Sequence, residues 1–379
     1  MEQPALAPTA SADAPRQGKT TIRPCTRHDI DAVADLFERV YPGAGPEPAA
    51  RADHLREVLF ENPWRDPLVP SWVAEESGRA VGFQGTIARP MNFKGRALRV
   101  ATVCQFLVDP ERRRSLIALQ LIKACLSGVQ DLTLADGAND LSARLWLGLG
   151  GKACLLHSLH WTRPLRPARH SLSLLQRRAR TLAPFAWAGR PVAAALDAAF
   201  ARVHPNRFHR ADPAALTQPL DTEAVLAQAP DAFTSSEMHP VYQAQSWRWL
   251  IDQAARKTRH GALRARMVSV QGGVVGWFLY YVERGGVAEV LQCAARPGHW
   301  PTVLRSLFAD AWGQGAVTAH GRLDPGALQV SSEHHCWLRR EGPWTLAHAR
   351  DPELLACLHR GDAMISRLEG EWWLRVVGG

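Results

Sequence analysis

Apolar and polar positions follow two spacings along this chain, and the points where one spacing gives way to the other mark out its elements. Residues 30–40 place Ile30, Val33, Leu36, Phe37 and Val40 at helical intervals, behind Thr26, a residue type suited to an N-cap. A short strand is expected at 20–23 and a second helix at 54–60. From residue 71 strand-like runs take over: a turn at Ser77-Gly78-Arg79, a strand at 81–87, a turn at Lys94-Gly95 and a long strand at 98–108. The apolar run then breaks at Asp109-Pro110, passes three arginines and resumes with helical spacing in SLIALQLIKACL. A strand at 131–134, a helix in ANDLSARLWLGLGGK and a final strand in ACLLHSLHWT follow.

The same order returns in the second half. A Gly272-Gly273 turn, a strand at 275–282, a Gly285-Gly286 turn, a strand at 287–294 and a helix at 301–311 repeat it, with G-G-V-V-G at 272–276 against G-R-A-V-G at 78–82. The repetition predicts a tandem duplication. Two helical patterns, at 172–182 and 192–203, lie between the halves and are separated by Pro184 and Gly189-Arg190-Pro191. The segment SSEMHP reads as a loop that brings Glu237, His239 and Tyr242 toward a cleft, and GDAMISRLEGEWWLRV reads as a strand pair turning at Glu369-Gly370.

A chain of 379 residues with 46% hydrophobic content has room for two filled cores. No run of about 18 apolar residues occurs, and residues 1–18, rich in Ala, Pro and polar residues, read as a disordered leader. Seven cysteines without a CxxC pair fit a reduced, cytoplasmic protein. Neither they nor the triplet His334-His335-Cys336 have metal-site spacing, so no metal is expected. The net charge of +9 is matched by residues 163–210, where ten arginines face one acid, Asp197. That localisation excludes a general nucleic-acid-binding surface. The segment reads as an interdomain connector with solvated arginines, or as a basic amphipathic surface for peripheral membrane contact.

With strand, V-D-P, arginine-rich turn and helix in place, residues 71–162 resemble the GNAT superfamily of acyl-coenzyme A-dependent N-acetyltransferases. That family reads V-x-P-x-x-[QR]-x-x-G-x-[GA] after its fourth strand. Here Val108, Asp109 and Pro110 match its start, Arg113 the Gln/Arg position and Ala118 its end, while Leu116 stands at the first glycine. A second element, N-x-x-A-x-x-L-Y-x-x-x-G-F, is similar to 139–151, with Asn139, Ser142, Leu145, Trp146 and Gly150 in place.

The resemblance implies an α/β fold with mixed sheets, arranged as two tandem GNAT-like domains joined by a basic helical connector. The expected divisions are 19–165, a connector at 166–212, and a degenerate second domain at 213–379. It implies acetyl-CoA or another acyl-CoA as donor, held by Phe106, Leu107, Val108, Arg112, Arg113, Arg114, Ser115, Leu116, Ile117, Ala118 and Asn139. It implies transfer by direct attack to a small-molecule amine, with a longer acyl chain or an acyl carrier protein drawn to the arginine-rich connector as alternatives on the donor side. Gln105, Asn139 and Trp146 are the catalytic candidates, Cys104-Gln105 standing where the fourth strand often carries a carboxylate and Trp146 where a tyrosine acid would stand. Glu111, Asp136, Asp140, His157 and His160 are alternative bases. The rival reading is a non-catalytic module that binds acyl-CoA or an acyl carrier, associated with a membrane surface.

Overall fold

The structure is a computed structural model and describes residues 19–178, 189–203, 214–234, 236–340 and 342–371. It begins with β1 (Thr21–Pro24), α1 (Ile30–Val40), α2 (Pro48–Phe60) and β2 (Trp72–Glu76). The hairpin of β3 (Arg79–Phe93) and β4 (Arg96–Val108) turns at Lys94-Gly95, both with positive φ. Next come α3 (Ile117–Leu126), β5 (Leu132–Ala138), α4 (Asp140–Gly148), β6 (Lys152–Ala153), β7 (His160–Pro164), α5 (Pro167–Arg178) and α6 (Arg190–Val203). The later part holds β8 (Ala215–Pro219), α7 (Thr222–Ala232), β9 (Met238–Pro240), α8 (Ala244–Arg256), β10 (Ala262–Val270), β11 (Gly273–Val282) and β12 (Val287–Ala295). It closes with α9 (Trp300–Gly313), β13 (Thr318–Arg322), α10 (Leu328–Glu333), β14 (Trp337–Arg339), β15 (Trp344–Ala349) and α11 (Pro352–Arg360).

These strands form two mixed sheets that share one order of roles. The first runs β1-β2-β3-β4-β5-β15-β6, with β9 added to the end of β3; the second runs β8-β10-β11-β12-β13-β7-β14. Each contains one parallel pair, β4–β5 and β12–β13. The strand beside β5 comes from the second half, and its counterpart beside β13 comes from the first, so each half donates a strand to the other's sheet. The expected single strand 153–162 is therefore divided. Its start pairs with β15 as β6, a 3-10 turn intervenes, and β7 crosses to the second sheet. SSEMHP is likewise no loop throughout, because β9 pairs with Met91–Phe93 of β3. Of the expected strand pair at 361–376, residues 372–376 lie outside the described residues; within 361–371 one isolated bridge joins Ala363 to Met238.

Apolar packing joins the halves as closely as the strand exchange does. A single core runs from Leu36 and Phe37 of α1, Leu55 of α2 and Phe83 of β3 to Trp247 of α8 and Trp277, Leu279 and Tyr281 of β11. Burial of this kind contributes about 1.5–3 kcal/mol per large side chain. Six of the seven cysteines are buried thiols. Among the described residues, no helix is long and apolar enough to cross a membrane, and no group of three or more His, Cys, Asp or Glu is placed to hold a metal ion.

Candidate functional site

Where β4 leaves β5, the first sheet opens. The two strands pair in parallel only at Val100–Leu132, Ala101–Thr133 and Thr102–Leu134, after which the ladder between them stops while both continue. Just past this point Gln105 adopts φ 51° and stands opposite no residue of β3, where the register shifts between Gln84 and Gly85. Such a bulge turns a strand and redirects its peptide groups. Gln84 supports it, its buried side-chain amide donating to the Cys104 carbonyl at 3.1 Å and to that of Gly85 at 3.0 Å.

The opening is a cleft of about 330 Å³ lined by Gln84, Val103, Gln105, Phe106 and Leu107 on one side and by Ala135, Gly137, Ala138, Asn139, Ser142 and Trp146 on the other. Helix α3, which follows β4, adds Ile122 to the lining. Gly82 sets how closely that helix lies on β3, since a Cβ there would stand 2.7 Å from Ile117 Cγ2. The turn before α3 is pinned by Asp109, which is buried, accepts from the Glu111 N–H at 3.1 Å and is ion-paired with Arg39 at 2.9 Å and Arg79 at 3.2 Å.

The candidates from sequence separate into two groups. Gln105, Phe106, Leu107, Asn139 and Trp146 line the cleft. The Trp146 side chain, 3% exposed, packs with Ile122 and Ala143 and forms part of the cleft wall. Asn139 caps α4 by accepting from the Ser142 N–H at 2.9 Å. Val108 packs with the α3 core, Ile117 is buried beneath Gly82, and Ala118 is half-buried. Arg112 donates to the buried Glu76 at 2.7 Å, whereas Arg113 and Arg114 are exposed. The Ser115 hydroxyl donates to the Arg112 carbonyl at 2.7 Å and accepts from the Ile117 N–H at 3.3 Å. Leu116 is 67% exposed and turned to solvent, so it leaves the start of α3 open. The remaining N–H groups of that first helical turn lack intrahelical acceptors by geometry and carry the positive end of the helix dipole.

Of the alternative bases, Glu111 and Asp140 are exposed, and Asp140 accepts from the Trp344 indole at 2.8 Å. Asp136 is held by Arg322 at 2.8 Å, and His157 and His160 are buried away from the cleft lining. Sequence reasoning missed Phe37, Tyr41, Gln84 and Glu371, all of which line the cleft. The first two carry only the signal of an amphipathic helix end, and Glu371 stands where a strand pair was expected. The corresponding opening of the second sheet, beyond Val290 and Gly321, holds only about 20 Å³, being filled by Trp161, Trp300, Arg322 and Arg367.

A model of the acetyltransferase (GNAT) domain matches residues 21–133, which include β4, its bulge and α3. This part of the chain is a GNAT acetyltransferase domain. The fold around it is shared with solved structures at low identity. A GCN5-related N-acetyltransferase from Anabaena variabilis superposes with a TM-score of 0.57 at 12% identity, over 86% of this chain and 72% of that one. A probable N-acyltransferase from Enterococcus faecalis gives 0.57 at 10%, over 87% and 73%. Eis1 from Mycobacterium abscessus gives 0.52 at 14%, over 89% and 76%. At such identities these neighbours establish the fold alone. No curated protein matches the chain in sequence. Within the GNAT domain, β4 supplies one wall of the cleft and α3 adds Ile122, while α4 and Glu371 lie beyond the matched residues.

Proposed function

We propose that the GNAT domain binds acyl-CoA in the cleft between β4 and β5 and transfers the acyl group to an amine by direct attack. The observation that carries this reading is the divergence of β4 from β5 at Thr102, beside the bulge at Gln105 and the open N-terminus of α3. A ligand with amide groups along an extended arm suits the space between two separated strands, where it takes the place of a pairing strand. A pyrophosphate at its far end suits the α3 N-terminus and the exposed Arg113 and Arg114. Peptide N–H groups turned by the bulge are suited to a developing oxyanion. Acetyl-CoA is the default donor. The acceptor is a small-molecule amine, an acyl carrier protein is the alternative donor, the site needs no metal, and the setting is the cytoplasm. The second half acts as a degenerate GNAT-like domain that packs and shapes the site, as its nearly filled opening suggests.

Calorimetric titration with acetyl-CoA tests the donor site. Micromolar affinity is expected, and absence of binding at millimolar concentration would remove the reading. Replacing Arg113 and Arg114 together by alanine should weaken binding by about 10-fold at low ionic strength and less at physiological salt, because exposed charges are screened. Unchanged affinity at low salt would detach the pyrophosphate from this turn. A protein that binds acetyl-CoA and releases no thiol would instead be the non-catalytic module, in keeping with an indole at Trp146.

The surface of α6 favours a second, compatible role. Val192, Leu196, Phe200 and Val203 form an exposed apolar stripe at helical spacing, with Arg190 and Arg202 exposed beside it. The helix's one acid, Asp197, is turned inward, accepts from the Ala168 N–H at 2.8 Å and is paired with Arg169. An apolar stripe flanked by cations suits an anionic lipid surface. Binding to vesicles containing phosphatidylserine should fall steeply between low and physiological salt, and Leu196→Glu should abolish it. Vesicle binding unaffected by both changes would exclude this role.

A further inference from the structure

We propose that Glu371 is the catalytic carboxylate of the cleft, taking the proton from the acceptor amine, and that the second half of the chain delivers it there. This proposal rests on the acyl-transfer reading of the same site. Among the described lining residues of the cleft Glu371 is the one carboxylate, it is 8% exposed, and Gln105 and Trp146 line the same space.

The chain carrying Glu371 is built to dock at this point. The Glu371 N–H donates to Asp136 Oδ1 at 2.7 Å, and Asp136 lies on β5, which supplies Ala135, Gly137 and Ala138 to the cleft wall. Gly370 approaches that carboxylate so closely that a Cβ would lie 1.7 Å from Asp136 Oδ2, a contact only glycine permits. On the other side Glu369 accepts hydrogen bonds from Gln292 Nε2 at 3.0 Å, from the Tyr242 hydroxyl and from the Ser366 N–H at 3.2 Å. Asp136 is in turn fixed by Arg322 of β13, whose guanidinium also donates to the Asp136 carbonyl at 3.0 Å. Residues 369–371 are thus held on one side by the second sheet, through Gln292 of β12, and on the other by an aspartate that the second sheet orients. Asp136 and Arg322 are positioning residues.

The chemistry suits a carboxylate in that place. The acceptor enters as a neutral amine, having left one proton in water. Its nitrogen attacks the thioester carbonyl carbon and the C–N bond forms, while an N–H proton passes to Glu371. As the C–S bond breaks, the departing thiolate receives that proton, and the carboxylate is restored as amide and free thiol leave. General-base assistance of this kind contributes typically 10²–10⁴-fold.

The experiment combines acetyl-CoA titration with thiol release, using spermidine, glucosamine and an Nα-blocked lysine as acceptor probes. Glu371→Gln should bind acetyl-CoA within about twofold of wild type, lose about 10²-fold or more in kcat, and lose the acidic limb of the kcat pH profile. Glu371→Asp should keep an intermediate rate with that limb present. Gly370→Ala, which displaces the carboxylate without removing it, should lower kcat at preserved donor affinity. Glu371→Gln with wild-type turnover, or with turnover and donor affinity lost together, overturns the assignment. Wild type that binds acetyl-CoA and releases thiol with none of the three amines also overturns it while leaving the donor site standing. Failure to bind acetyl-CoA removes the donor site itself.

Discussion

Arg322→Met should destabilise the protein by about 3–5 kcal/mol, the cost of leaving a buried carboxylate without its cation. The Arg322 side chain is 5% exposed and that of Asp136 3%, so water can rehydrate neither charge without opening the structure. Arg322 lies on β13 and Asp136 on β5, which makes this pair a direct electrostatic link between the two sheets. The loss should appear as a lower urea midpoint at an unchanged slope. A second change, Asp136→Asn, should recover part of it in the double variant, because the amide removes the orphaned charge and still offers an oxygen to the Glu371 N–H. A single variant within about 1 kcal/mol of wild type would show that the pair is solvated.

Acid should weaken the fold through its buried histidines as pH falls below 6.5. His157 is wholly buried, and burial, followed by the Arg322 charge, holds its imidazole down at about 4, against an ordinary value near 6.5. His160, stacked on His320 at 5.4 Å, is pushed in the same direction by burial and by Arg367 and Arg322. A histidine whose pKa is depressed by folding binds its proton more readily in the unfolded chain. The neutral ring is therefore compatible with full stability above pH 6.5, and stability falls as pH drops from 6.5 to about 4. For His157 the total is about 3 kcal/mol, from the difference between those two values. Urea unfolding at intervals from pH 7.5 to 4.5 should show this decline, and His157→Gln should remove much of the slope. Parallel profiles for the two proteins would mean that the ring is protonated in the folded state.

Much of the first sheet and its cleft could be read from local signals. Thr26 ahead of an apolar stripe, the Ser77-Gly78 and Lys94-Gly95 turns, and Asp109-Pro110 at a strand end each act within a few residues, where propensity and turn chemistry decide. The GNAT resemblance rested largely on residues just after β4, and these form the turn and the start of α3, as the pattern predicts. Even there, sequence could not tell where the arginines point. Arg112 is spent on Glu76, leaving Arg113 and Arg114 exposed, because Glu76 approaches only once β2 pairs with β3.

By itself, then, the sequence determined most elements of the first sheet and their order, the family resemblance of residues 71–162 and the position of the basic segment. Each of these depends on contacts between near neighbours. Only the tertiary structure decided which sheet β7 and β15 would join, since pairing across more than a hundred residues is set by the facing strand and not by the strand's own pattern. It also decided that Glu371 would enter a cleft made mostly by residues 84–146. A carboxylate near a chain end carries no sign of its partner in sequence. That partner is created when Arg322 orients Asp136 and Asp136 receives the Glu371 N–H, a chain of contacts that exists only after both sheets have formed.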